Sequence, residues 1–294
     1  MKVKTFLVAI VTTFATVAIA QTATESTIFR ISSAYTSFPD TARANGHNYN
    51  NVLYTTAEHY SDSSVLIIIP PGLAVKKNID LVFWFHGWGN NIDSVPARYD
   101  LIKQFVASHC NAVLVLAETA KNAPDSYGGK LEQKGVFKLL VNDVLHKLKA
   151  AKAIGKKVTA GNIILAGHSG AYRVMAYIIQ NGSVEIKQAV LFDALYSEVD
   201  KYTTWIQSSP AHQFINIYTD NGGTDKLSLQ MMQGLRAKNI SFKSAEEKEV
   251  NPALLKTNTI IFIHSLKAHN DVINRPDNNF QLFIENSRIL TSIY

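Results

Sequence analysis

Apolar residues in this chain gather in short unbroken runs: Ser64 to Ile69, Leu81 to Phe85, Asn111 to Ala117, Asn162 to Ala166, Gln188 to Phe192, Phe214 to Tyr218 and Thr259 to Ile263. A strand that is apolar at successive positions is covered on both faces, because neighbouring side chains point to opposite sides of a sheet. Helical spacing lies between the runs. From Leu131 to Ala153 the residues Val136, Leu140, Val144, Leu145 and Leu148 recur at three- and four-residue steps, and Gly155 offers a stop. Ala171 to Gln180 is apolar on nearly every face and reads as a helix buried against the middle of the sheet. The alternation predicts an α/β fold, a mostly parallel central sheet with helices on both faces. No repeat, low-complexity tract or Pro/Ser-rich linker divides the chain, so one domain is expected. Ser241 to Asn258, with Glu246, Glu247 and Glu249, reads as a surface excursion whose charges are solvated.

The N-terminus departs from this pattern. Lys2 and Lys4 precede an apolar stretch from Phe6 to Ile19, and Ala18-Ile19-Ala20 supplies small residues at a cleavage site. That order predicts a secretory signal peptide over residues 1–20 and a mature domain over 21–294. The stretch is short for a membrane span and is interrupted by Thr12, Thr13 and Thr16. No cysteine follows it to take a lipid, and no later stretch is long enough to span a bilayer. The expectation is a soluble protein, secreted or periplasmic.

Composition narrows the classes further. With 294 residues, 47% hydrophobic and 18% charged, the chain has the makings of a large core. One cysteine excludes an intrachain disulfide and a cysteine-based zinc cluster. The formal charge of +6 includes the two signal-peptide lysines. The lysines between Lys147 and Lys157 fall on the polar side or the end of an amphipathic helix, a solvated face rather than a nucleic-acid surface. No H-E-x-x-H helix or acidic calcium loop is present. Gly128-Gly129-Lys130 lacks the upstream glycine and the following Ser/Thr of a phosphate loop. The sequence therefore asks for neither a metal nor a cofactor.

The chemistry concentrates in Asn162-Ile163-Ile164-Leu165-Ala166-Gly167-His168-Ser169-Gly170-Ala171, which runs from a strand directly into a helix. A serine on so sharp a turn needs small neighbours two residues to either side, because the strand and helix backbones nearly touch. Gly167 and Ala171 meet that need. A second stretch, Phe83-Trp84-Phe85-His86-Gly87-Trp88-Gly89, closes an earlier strand. Together these resemble the nucleophile elbow and His-Gly-x oxyanion loop of the α/β-hydrolase superfamily of serine hydrolases. The resemblance covers the chain from about Ser64 to its end, with Ala171 standing where the strict elbow pattern has glycine.

The resemblance implies a nucleophilic Ser169 and an oxyanion hole built from the N–H groups of Trp88 and Gly170. It makes His86 a loop-structuring residue and His168 a turn residue directed away from the reacting centre. The family order is serine, acid, histidine. Among the histidines after Ser169, His212 precedes its strand and falls at the wrong end of the sheet, and His264 is at the tip of the last strand. His269, in the loop beyond, is where the base belongs. Two acids fit. Asp220 follows the strand Phe214 to Tyr218, in a turn-like Asp-Asn-Gly-Gly, and Asp193 follows the fully apolar strand Gln188 to Phe192, where a turn-only role is less natural. Trp88, Tyr127, Tyr172 and Tyr196 are placed to line a pocket for a sugar or aromatic group. The expected activity is hydrolysis of a carboxylic ester, with a small-molecule, glycan or peptide ester as partner. An amidase or peptidase on the same residues, or a binding protein that keeps the fold without turnover, are the alternatives.

Overall fold

The apolar runs all become strands of one sheet in the computed structural model, which describes residues 25–274 and 276–293. The expected signal peptide lies outside the described residues. The strands are β1 (Thr27–Ser32), β2 (Ser64–Ile69), β3 (Asn78–Phe85), β4 (Ala112–Ala117), β5 (Thr159–His168), β6 (Ile186–Phe192), β7 (Gln213–Thr219), β8 (Lys243–Glu246) and β9 (Ile260–Ser265). Their spatial order is β1-β2-β4-β3-β5-β6-β7-β9-β8. β2 is antiparallel to both neighbours, and every pairing from β4 to β8 is parallel.

Two separate cores explain why the strands are apolar throughout. Val65, Ile67, Leu81, Phe83, Val115, Leu165 and Leu191 face one side. There they meet α2 (Val136–Ala150), α3 (Tyr172–Asn181), α4 (Val199–Ser208) and α5 (Asp225–Ala237). The residues between them, such as Leu66, Ile68, Val82, Trp84, Leu116, Ile164 and Phe192, face the other side. That side is covered by α1 (Leu101–Ala107) and α6 (Asn279–Glu285). Each inner strand therefore buries both of its faces.

The structure differs from the sequence expectation at several elements. Helix α2 starts at Val136 because Gly135, at φ +80°, turns the chain, while 129–132 forms a separate 3-10 turn. Helix α3 is one-sided rather than buried all round. Val174, Met175, Ala176 and Ile178 face the sheet, and Arg173 reaches outward to grip Glu132 at 2.7 and 2.9 Å. The stretch 241–258 is more than a solvated excursion: it supplies edge strand β8, and two of its charges, Glu246 and Glu247, find partners in other elements. Glu247 binds Lys267 at 2.5 Å and also accepts from Ser265 and Asn279. Strand β8 escaped the pattern because only Ala245 of its residues is buried, as an edge allows. Strand β1 and a small hairpin, His47–Tyr49 against Val52–Tyr54, were likewise beyond the pattern. Among the described residues no helix is long and apolar enough to cross a membrane.

Parallel strands bring their C-terminal ends to one edge, the usual place for ligands in α/β sheets. His86, Glu118, Ser169, Asp193, Asp220 and His269 all lie just beyond such ends, on β3, β4, β5, β6, β7 and β9.

Candidate active site

Ser169 follows the last residue of β5 and opens the turn into α3 with φ +54°, in the left-handed region that a non-glycine residue rarely adopts. Holding it there costs of the order of 1–3 kcal/mol, which the surroundings must supply. They leave no space to relax. A Cβ on Gly167 would stand 2.7 Å from Ala171 Cβ and 2.6 Å from Met175 Sδ. One on Gly87 would stand 2.6 Å from Ser169 Cβ, so the loop after β3 lies directly against the serine. One on Gly170 would meet the Trp88 indole at 2.5 Å. The small residues at 87, 167, 170 and 171 are thus requirements of close approach.

Asp193 is fully buried at the end of β6, also with positive φ, +45°. Its Oδ2 accepts from His269 Nδ1 at 2.6 Å and from Thr219 Oγ1 at 2.8 Å. Its Oδ1 accepts from Thr219 N–H at 3.0 Å and from the Thr224 hydroxyl. Burial opposes the charge, but the bonds from His269, Thr224 and Thr219 outweigh it and hold the carboxyl below the usual range. Gly222 closes the loop over this carboxylate, where any Cβ would overlap Asp193 Oδ2.

Asp220 takes no part in this cluster. Its Oδ1 accepts from His264 Nε2 at 2.9 Å, while His264 Nδ1 donates to Glu246 at 3.0 Å. Both partners are acceptors, so the ring carries two protons; its pKa is raised because these bonds outweigh burial. His212 is stacked on Trp205, 4.5 Å between ring centroids, and donates to Trp205 O, at the start of β7 and away from the serine.

His168 departs from expectation. Its ring is buried against His269, 4.4 Å between centroids, and Nε2 donates to His269 O at 3.0 Å. It steadies the loop that carries His269 instead of pointing away. Burial, and then the adjacent His269 charge, push its pKa down to about 3, so it stays neutral. Tyr99 supports the same loop from α1's side, donating to Asn270 Oδ1 at 2.9 Å.

A cavity of about 290 Å³ opens on Ser169, walled by Trp88, Ser126, Gly170, Tyr172 and Tyr196. Tyr127, expected among these walls, instead packs under Arg43 and against Phe38. Ser126 takes its place in the cavity and accepts from Trp88 Nε1 at 2.7 Å. No sequence signal marked Ser126, since it lies in a loop without a motif. The Tyr196 ring stands 6.2 Å from that of His269, and its hydroxyl donates to Gly222 O at 2.6 Å. Burial and the charge of Asp193 raise its pKa, so it remains a phenol. Among the described residues no hydrogen bond joins Ser169 to His269, and no group of three His, Cys, Asp or Glu side chains is arranged to hold a metal ion.

No family model matches this sequence, and no curated protein matches it. Solved structures do resemble its fold. An S-formylglutathione hydrolase of Staphylococcus aureus matches with a TM-score of 0.53 at 9% identity, over 89% of this chain and 99% of that one. A fluorophosphonate-binding serine hydrolase of the same organism matches with a TM-score of 0.51 at 9% identity, over 89% and 99%. The feruloyl esterase module of Clostridium thermocellum, in complex with sinapinate, matches with a TM-score of 0.54 at 10% identity, over 90% and 89%. The chain thus has the α/β-hydrolase fold that these hydrolases share.

Proposed function

We propose that this protein is a serine hydrolase that cleaves carboxylic esters through an acyl-enzyme. The observation that carries the reading is the 2.6 Å bond from His269 Nδ1 to the buried Asp193, on the same sheet edge as a serine held at positive φ over a cavity. A hydrogen committed at Nδ1 leaves Nε2 as the basic nitrogen. His269 then takes the Ser169 proton as the hydroxyl attacks the ester carbonyl and returns it to the departing alcohol. The N–H groups of Trp88 and Gly170 receive the charge on the carbonyl oxygen. Water, activated by the same nitrogen, releases the acid. The aromatic walls favour an ester bearing a flat ring, so hydroxycinnamate esters, the class named by the feruloyl esterase neighbour, belong in the first substrate screen beside short acyl esters, acetylated sugars and peptides. We also propose export with loss of residues 1–20.

Reaction of the purified protein with a fluorophosphonate probe tests the assignment. Wild type should be labelled and Ser169→Ala should not. Labelling that survives the substitution, or a folded wild type inert to every ester in the screen, overturns it.

A further inference from the structure

Beneath the loop that carries Trp88 lies a buried pair that the proposed reaction does not use. The side chains of His86 and Glu118 are 1% and 0% exposed. His86 Nδ1 is 2.8 Å from Gly87 O, and its Nε2 is 2.6 Å from Glu118 Oε1. A carbonyl oxygen only accepts, so Nδ1 carries a hydrogen and donates. Nε2 and Oε1, buried and 2.6 Å apart, then hold one proton between them; otherwise two lone pairs would face one another. The other capacity of the carboxylate is used as well. Oε1 accepts from Thr119 N–H and Oε2 from Ile92 N–H, both at 3.2 Å, while Thr119 Oγ1 lies 2.9 Å from His86 Nε2.

What the pair holds is specific. The carbonyl of Gly87 and the N–H of Trp88 are opposite ends of one planar trans peptide. Fixing the oxygen from below aims the N–H the other way. Gly87 is also the residue pressed on Ser169, where a Cβ would stand 3.2 Å from Ser169 Oγ. The far end of the loop is held by the same carboxylate through Ile92 N–H. One carboxylate therefore clips both ends of 87–92, the first of them through His86.

We propose that Glu118 is a positioning residue that, through His86, orients the Trp88 N–H toward the reacting carbonyl oxygen. The inference rests on the role given to Ser169 above. Its test compares Glu118→Ala and Glu118→Gln with wild type on a short soluble ester. The glutamine amide can donate to Nε2 and accept from Ile92 N–H, which keeps both ends of the clip while giving up the shared proton and the bond from Thr119 N–H. Losing a well-aimed oxyanion donor costs about 100-fold in kcat. Glu118→Ala should therefore lower kcat by about that factor with KM within about threefold, and Glu118→Gln should recover to within about tenfold of wild type. A folded Glu118→Ala enzyme with wild-type kcat, a loss confined to KM, or no recovery by glutamine overturns the proposal. Removing a buried carboxylate can also unfold the chain, so nitrogen-resolved NMR of wild-type His86 provides a second test. Nδ1 should be protonated, and a low-field proton should bridge Nε2 to Glu118 and vanish in Glu118→Gln. An unprotonated Nδ1 overturns the proposal whatever the variants do. A wild type that neither labels nor turns over refutes the Ser169 assignment, whereas full turnover by Glu118→Ala refutes only the role of Glu118.

Discussion

Two aspartates follow successive strands at the same sheet edge, and each holds a histidine, so the pairing rather than the residue type separates their roles. Asp193 is buried and saturated by His269, Thr219 and Thr224, whereas Asp220 is exposed and shares His264 with Glu246. On the proposed mechanism, Asp193→Asn should lower kcat by about 10³- to 10⁴-fold, by the loss of the orienting carboxylate. Asp220→Asn should change kcat by less than about threefold. Steady-state rates on one ester decide the matter, and equal losses in the two variants would remove the distinction. A second residue-scale consequence concerns pH. The folded state keeps His168 neutral down to about pH 3, while an unfolded histidine takes up a proton near pH ~6.5. Between those values the unfolded chain binds more protons, so stability is whole above the upper value and declines as pH falls toward the lower. The slope is up to about 1.4 kcal/mol per pH unit. His168→Gln should flatten the melting temperature against pH between about 6.5 and 4. An unchanged slope would assign the decline elsewhere.

At the scale of elements, the sequence disclosed what is buried and hid what is not. Strands such as Leu81 to Phe85 and Gln188 to Phe192 were legible because both faces enter a core. Strand β8 was not, since its burial is confined to Ala245 and the glutamates at its end find partners at the end of the neighbouring strand β9 and just beyond it. The elbow was legible for a steric reason, because Gly167 and Ala171 sit in van der Waals conflict with anything larger. Glycine does not always carry such a demand. Gly234, within α5, has open space where a Cβ would stand. Gly234→Ala should stabilise the fold by about 0.5–1 kcal/mol through helix propensity and leave turnover unchanged. Urea unfolding measures it, and a lowered midpoint would show that the space is not free.

For the whole molecule, charge and length are informative only once the N-terminus is set apart. The formal +6 includes Lys2 and Lys4 of the proposed signal peptide, and the lysines of α2 lie along its outer side, Lys147 resting 4.7 Å over the Phe29 ring. The basic excess is therefore spread over the surface and names no partner. The mature protein recovered from the periplasm or culture fluid should begin at Gln21 by intact mass or N-terminal sequencing. A chain that still begins at Met1 would remove the export proposal. The lone Cys110 is equally silent. It is buried, its thiol donating to Ile284 O at 3.2 Å and pushed up to about 11 by burial.

The order of strands and helices, the doubly covered sheet and the elbow at Ser169 were determined by the sequence itself. They depend on local spacing and on the size of near neighbours, and both are written in consecutive residues. Local position set His269 apart from His264 and left Asp193 and Asp220 both open as the acid, so which histidine meets which aspartate was decided by the tertiary structure. The partners are 76 positions apart for Asp193 and His269 and 44 for Asp220 and His264, too far for local spacing to pair them. The same holds for Ser126 in the cavity wall and for Glu118 beneath the loop of Trp88. Neither has a motif, and each acquires its neighbours because parallel strands deliver distant loops to a single edge.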